Sequence, residues 1–245
     1  MSSSVLEKLR NDSDYYGEYG NQYLSNSDIY ALLKKPREFR KSEPTAEMLL
    51  GRYFHTLLLE PDKIENFPVA KASTRSTNVF KNMIEETKLG KYDVILEKEA
   101  DLVFKWAEAV RENFVMSTDI YAKGNEYEVP AVGTLFGTQW KGKADIVTTE
   151  NVIDLKTTSN IDRWKWSSDD YNYDSQAYIY QQLFGKPVLF YIIDKNSLRL
   201  KIAHASEDTL LRGRDKVIKA IEVYNRFFGP EASEQITQFI EYEEF

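Results

Sequence analysis

The sequence predicts an α/β (α+β) fold: a central mixed β-sheet flanked by helices, with a helical portion on its N-terminal side. Three observations carry this. Apolar residues recur at helical spacing between residues 23 and 118. From about Tyr127 the period shifts to two, with Gly-containing turns between the runs. A helix, two strands and a long helix then follow, the order of a sheet covered by helices.

Residues 1–22, rich in Tyr and Asp, show little periodicity and are expected as a mobile arm. Residues 23–245 are expected as a single domain, with helices over 23–118 and the sheet core over 119–245. "SNSDIYALLKKPREFR" offers Ser25 or Ser27 as a cap and stops near Pro36. "PTAEMLLGRYFHTLLLEP" reads as a helix capped by Thr45, with Glu47 in its first turn and Pro61 at its end. "STRSTNVFKNMIEETKLGK" is a polar loop and a helix stopping near Gly90, and "LEKEADLVFKWAEAVRENF" is a longer amphipathic helix. "EYEVPAVGTLFGTQWKGKADIV" and "NVIDLKTT" read as antiparallel strands joined through the turn "TTEN". "YDSQAYIYQQLFG" is a helix closed by Gly185, "PVLFYIID" and "LRLKIAHA" are strands, and residues 206–229 form the last helix.

With 245 residues, 42% of them hydrophobic, the chain is long enough for one sizeable core. No apolar run approaches the roughly 20 residues that span a bilayer, and no secretory signal opens the chain, so a cytoplasmic protein is expected. Cysteine is absent, which excludes disulfides, thiol catalysis, Cys-ligated zinc and iron–sulfur clusters. A net charge of −7 argues against wholesale attraction to nucleic acid but permits a local basic groove.

The chemistry concentrates in "GKADIVTTENVIDLKTTSN". Strand alternation puts Asp154 and Lys156 on one face and Leu155 on the other. The turn folds Asp145 back toward Asp154, nine positions on. Two like charges held together call for a divalent cation, and Lys156 could hold a water or stabilise a phosphoryl transition state. Taken alone, an Asp-x-Lys strand is more often a solvated surface pair. His55, on the upstream apolar helix, would complete a mixed N/O site suited to Mg²⁺ or Mn²⁺. Gln176 and Tyr180, four apart, share one helical face and could position a water, a phosphate or Lys156.

"GRYFHTLLLEP", "GKADIV", "IDLKTT" and "YDSQAYIY" occur in the order seen in RecE-type (exonuclease VIII-like) phage exonucleases of the PD-(D/E)xK nuclease clan, relatives of lambda exonuclease, and the chain resembles them over roughly residues 22–205. The resemblance implies a restriction-endonuclease-like core. It matches Gly51 and His55 to a Gly-x-x-x-His helix whose histidine contacts the metal. Asp145 matches the clan's strand aspartate, Asp154 and Lys156 the (D/E)-x-K pair, and Gln176 and Tyr180 a Gln-x-x-x-Tyr helix. The metal would be held by His55, Asp145, Asp154 and the Leu155 carbonyl. Glu128 resembles the acidic residue before the metal hairpin, with Glu126 as its rival.

The same resemblance implies a metal-dependent exodeoxyribonuclease acting on double-stranded DNA ends, 5′ to 3′, for recombination. It further implies a homo-oligomeric ring, a single-strand annealing partner, and a phage or prophage origin in a bacterial host. A PD-(D/E)xK endonuclease and a non-catalytic DNA-binding or scaffold relative stay open as alternatives. Arg75 and Lys81, in a loop of hydroxylic residues, are candidate phosphate contacts, with a plain polar surface loop the equal competing reading. Trp164 and Trp166, interleaved with Arg163 and Lys165, are candidate stacking platforms for unpaired bases, with packing against the sheet the competing reading. Arg212, Arg214, Lys216 and Lys219 read as a solvated or subunit-facing surface.

Overall fold

The computed structural model describes residues 3–41 and 43–240. In chain order its helices are α1 (Ser3–Arg10), α2 (Asp12–Tyr16), α3 (Asn26–Lys34), α4 (Ala46–Leu59), α5 (Asn78–Thr87), α6 (Glu97–Glu112), α7 (Phe114–Ile120), α8 (Trp164–Asp170), α9 (Tyr173–Phe184) and α10 (Glu207–Phe227). The strands are β1 (Val69–Ala70), β2 (Ile95–Leu96), β3 (Glu126–Leu135), β4 (Thr138–Val147), β5 (Val152–Thr158), β6 (Val188–Asp194) and β7 (Leu200–His204). β1 and β2 form a short parallel pair, and the main sheet runs β3-β4-β5-β6-β7.

The sheet is mixed, as the alternation predicts. β3, β4 and β5 are antiparallel neighbours; α9 then carries the chain back so that β6 lies parallel to β5, with β7 antiparallel beyond it. The β5 side chains alternate between two apolar layers. Ile153 and Leu155 join Phe54, Leu58, Val103 and Trp106 of α4 and α6, whereas Val152 packs with Ala177 and Ile179 of α9 and Val217 of α10. A sheet covered on both faces holds its strand ends rigidly, and the site uses those ends.

Capping residues set the helix starts. The Thr45 hydroxyl accepts from Met48 N at the head of α4, and Ser25 with Asp28 forms a capping box on α3. The helix expected over 96–114 is two: it breaks at Asn113, whose side chain accepts from Met116 N at 3.0 Å and starts α7. The tryptophan segment contains α8.

Residues 3–22 depart furthest from the expected arm with little periodicity. They form α1, α2 and a 3₁₀ turn, with Leu9, Tyr15 and Tyr23 buried in a small cluster against Val132 of β3. Both helices are short, and the strand residue they pack on, Val132, lies more than a hundred positions away.

Candidate active site

β4 and β5 pair through Val147–Val152 and Ile146–Ile153 and then part. The next position opposes Asp145 to Asp154, and no ladder pair forms there. Instead, Asp145 Oδ2 accepts the Leu155 N–H at 2.6 Å, a side chain standing in for the strand's missing carbonyl. The sheet is therefore split where its two aspartates meet, and α4 lies across the opening.

α4 supplies His55, whose Nδ1 lies 3.4 Å from Asp145 Oδ1 and whose Nε2 lies 3.1 Å from the Leu155 carbonyl. One turn earlier, Gly51 leaves open space where a Cβ would stand. Glu128 of β3 completes the cluster: one ligand atom each from His55, Glu128 and Asp145 lies within 4.8 Å of the others. Glu128 sits opposite Asp145, between the pairs Tyr127–Ile146 and Val129–Ala144, and has φ +49°, a left-handed conformation inside a strand. Such strain at a non-glycine residue costs on the order of 1–3 kcal/mol and collects at functional sites. Glu126, which alternation alone left as a rival, is exposed and faces Arg10 at 3.8 Å.

Charge crowding is visible in the proton affinities. Burial and the facing Asp145 push the Glu128 carboxyl up to about 7. Burial pulls His55 down, but the Asp145 carboxylate overrides it and lifts the imidazole to about 9. Burial pushes Asp145 up, but His55, Lys156 and the Leu155 N–H together hold it below its ordinary value.

Asp154 and Lys156 point to the α9 side, as alternation requires. Asp154 is 1% exposed; its Oδ2 accepts from Gln176 Nε2 at 2.6 Å, and its Oδ1, with no hydrogen bond, is balanced by the Lys156 ammonium in an ion pair. Burial raises the Asp154 carboxyl to about 6 against the pull of Lys156. Burial would discharge Lys156, yet Asp154 holds it charged, with its Nζ 5.1 Å from the Tyr173 ring centroid. Asp154 thus lies outside the ligand-distance cluster, where Glu128 stands in its place. Its two oxygens already serve Gln176 and Lys156.

Gln176 and Tyr180 share the sheet-facing side of α9, as their spacing predicts, but do different work. Gln176 fixes Asp154. The Tyr180 hydroxyl donates to the Lys143 carbonyl at 2.9 Å and so clamps β4 two residues before Asp145. A Cβ at Gly142 would come within 2.9 Å of the Tyr180 ring, so the glycine lets α9 approach this closely.

The expected DNA contacts divide. Trp164 is 6% exposed and stacks on Tyr173 at 4.9 Å beside Phe190, so it is a core residue and not a base platform. Arg75 is held by Glu99 through both Nη atoms at 2.5 and 2.7 Å, so its guanidinium already has an anionic partner. Lys81, on α5, is exposed, and Trp166 is 64% exposed. The sequence reading passed over Lys141 and Lys143, though "KGKAD" places both on the Asp145 face by simple alternation.

A family described as a PDDEXK-like domain of unknown function (DUF3799) matches residues 16–239. No curated protein matches the chain. Among solved structures, a "Putative exonuclease" from Eubacterium rectale superposes with a TM-score of 0.64 at 18% identity, covering 96% of this chain and 95% of that one. The likeness is one of fold. A phage related exonuclease from Haemophilus somnus 129PT aligns at 12% identity and a TM-score of 0.36, over 83% of this chain and 94% of its own.

Proposed function

The chain belongs to the PDDEXK-like family DUF3799, within the PD-(D/E)xK nuclease clan, and from that premise we propose that it is a divalent-metal-dependent exodeoxyribonuclease acting on the ends of double-stranded DNA. The observation that carries this reading is the convergence of His55, Glu128 and Asp145 at the point where β4 and β5 part, beside the Asp154–Lys156 pair.

The residues fit a divalent cation. One imidazole nitrogen and two carboxylates, with the Leu155 carbonyl 3.1 Å from the His55 ring, make a hard N/O donor set of the kind that suits Mg²⁺ or Mn²⁺. Two carboxylates converging on one imidazole would be answered by the charge of such an ion. His55, Glu128 and Asp145 would hold the ion, with Asp154 and the Leu155 carbonyl adjoining. Bound there, a divalent cation polarises a phosphoryl oxygen and makes water easier to deprotonate.

The chain's own residues supply the rest. Lys156 keeps its proton at Nζ because Asp154 is its partner, so it offers fixed positive charge to phosphate oxygens as negative charge builds on them. Gln176 holds Asp154 and thereby Lys156. Tyr180 holds the β4 backbone. The apolar layers beneath both strands keep these groups from relaxing as charge develops.

Digestion from 5′ to 3′, a recombination role with an annealing partner, a homo-oligomeric ring and a cytoplasmic, phage-derived setting extend the proposal on the motif resemblance. No helix among the described residues is long and apolar enough to cross a membrane. The test is an end-labelled linear duplex beside a covalently closed circle, with Mg²⁺, Mn²⁺ or EDTA. Progressive, metal-dependent shortening of the linear form with the circle intact is expected. Fragments from the circle would favour the endonuclease reading, and no cleavage of either in any metal would favour a non-catalytic relative.

A further inference from the structure

Two lysines lie on the Asp145 face of β4, and both are buried: Lys141 is 5% exposed and Lys143 8%. Lysines are rarely buried without a partner. Their partners here come from one short segment. Lys143 Nζ meets Asp12 Oδ1 at 2.6 Å and the Arg10 carbonyl at 3.3 Å, while the Lys141 ammonium meets the Tyr15 carbonyl. The Tyr15 ring covers both, 4.3 Å from Lys141 Nζ and 4.8 Å from Lys143 Nζ. At Gly20 a Cβ would fall 2.5 Å from Lys141 Nζ, so that glycine makes room for the deeper lysine.

The two lysines differ in what covers them. Lys141 is enclosed by backbone and ring. Lys143 is answered by a carboxylate whose side chain is 68% exposed, so its ammonium sits just beneath the surface, behind one removable anion. It is two residues from Asp145, about 7 Å along the strand. The covering segment packs Leu9, Tyr15 and Tyr23 as a cluster of its own, separate from both main apolar layers.

We propose that Lys143 is a nucleic-acid phosphate contact beside the cleavage site, and that Asp12 of α2 occupies it in the free protein as a stand-in for the phosphate. DNA entering the site displaces the Asp12 carboxylate from Lys143 while Tyr15 stays anchored on Lys141. The inference rests on the nuclease reading above and adds to it a contact and its competitor.

The test uses the full-length protein and a fluorescent linear duplex with EDTA present, titrated from about 50 to 200 mM salt. Parent, Asp12→Asn, Lys143→Gln and the double variant are compared after thermal melts confirm folding; Lys143→Met serves if the Gln variant does not fold. An ion pair with one exposed partner is worth little, so Asp12→Asn should bind about three- to fivefold more tightly. Lys143→Gln should lower the slope of log affinity against log salt by about 0.9, one phosphate contact. In the double variant the gain from Asp12→Asn should vanish. If Asp12→Asn binds no tighter, if its gain survives loss of Lys143, or if Lys143→Gln keeps the parent salt slope, the inference is wrong. Cleavage by the parent with Mn²⁺ separates the two readings: a parent that cleaves DNA while these signatures are absent sinks this inference alone, and a parent that neither binds nor cleaves sinks both.

Discussion

Replacing Glu128 with Gln keeps the shape of the side chain and removes its charge, and the structure fixes how stability should respond to pH. Burial and Asp145 lift this carboxyl from 4.5 to about 7. The folded protein therefore binds the proton more tightly than the unfolded chain does. The stability this confers is fully present below pH 4.5, declines as pH rises, and is gone above 7. At about 1.4 kcal/mol per unit, the loss is on the order of 3 kcal/mol, or roughly 6 to 12 °C in a chain of this size. The neutral variant lacks this decline. Thermal melts of both proteins in EDTA at pH 5 and pH 8 should then show similar midpoints at the lower pH and a more stable variant at the higher one. Saturating Mn²⁺ at pH 8 should close the gap by stabilising the parent more. A difference between the two proteins that does not change with pH, or a variant that is less stable than the parent at pH 8 in EDTA, refutes the reasoning.

Lys156→Ala should abolish cleavage in Mg²⁺ while leaving Mn²⁺ binding in place, since Lys156 stands outside the ligand cluster; turnover assays and metal titration of the same sample check both. Tyr180→Phe should cost about 1 to 2 kcal/mol in urea unfolding, because the Lys143 carbonyl loses its donor in a buried setting. Trp164→Ala should cost about 3 to 5 kcal/mol as a core deletion, whereas Trp166→Ala, at 64% exposure, should leave stability within about 0.5 kcal/mol.

The sheet and its helices were legible because long elements carry periodic signals. β5 shows this most plainly, with Val152 and Asp154 alternating against Ile153 and Leu155 across two apolar layers. Asp145, Asp154, Lys156 and His55 were found because charges amid apolar runs demand a reason. What stayed hidden was conformation. No sequence pattern says that β4 and β5 part after two pairs, that Glu128 turns left-handed, or that Asp154 spends its oxygens on Gln176 and Lys156. Partners distant in the chain were hidden too. Arg75 reads equally as a phosphate contact or a surface loop residue until Glu99, 24 residues on, takes its guanidinium, and only Tyr173 and Phe190 decide that Trp164 packs rather than stacks on bases. The short α1 and α2 matter through Lys141 and Lys143, far along the chain.

The most direct measurement of the central claim is a Mn²⁺ titration followed by electron paramagnetic resonance, run on the parent and on Asp145→Asn. His55, Glu128 and Asp145 converge within 4.8 Å in the parent, so its free-ion signal should be suppressed as the site fills, while the Asn variant leaves the signal free and fails to cleave linear duplex. Equal binding by the two proteins, or cleavage retained by the variant, would contradict the account.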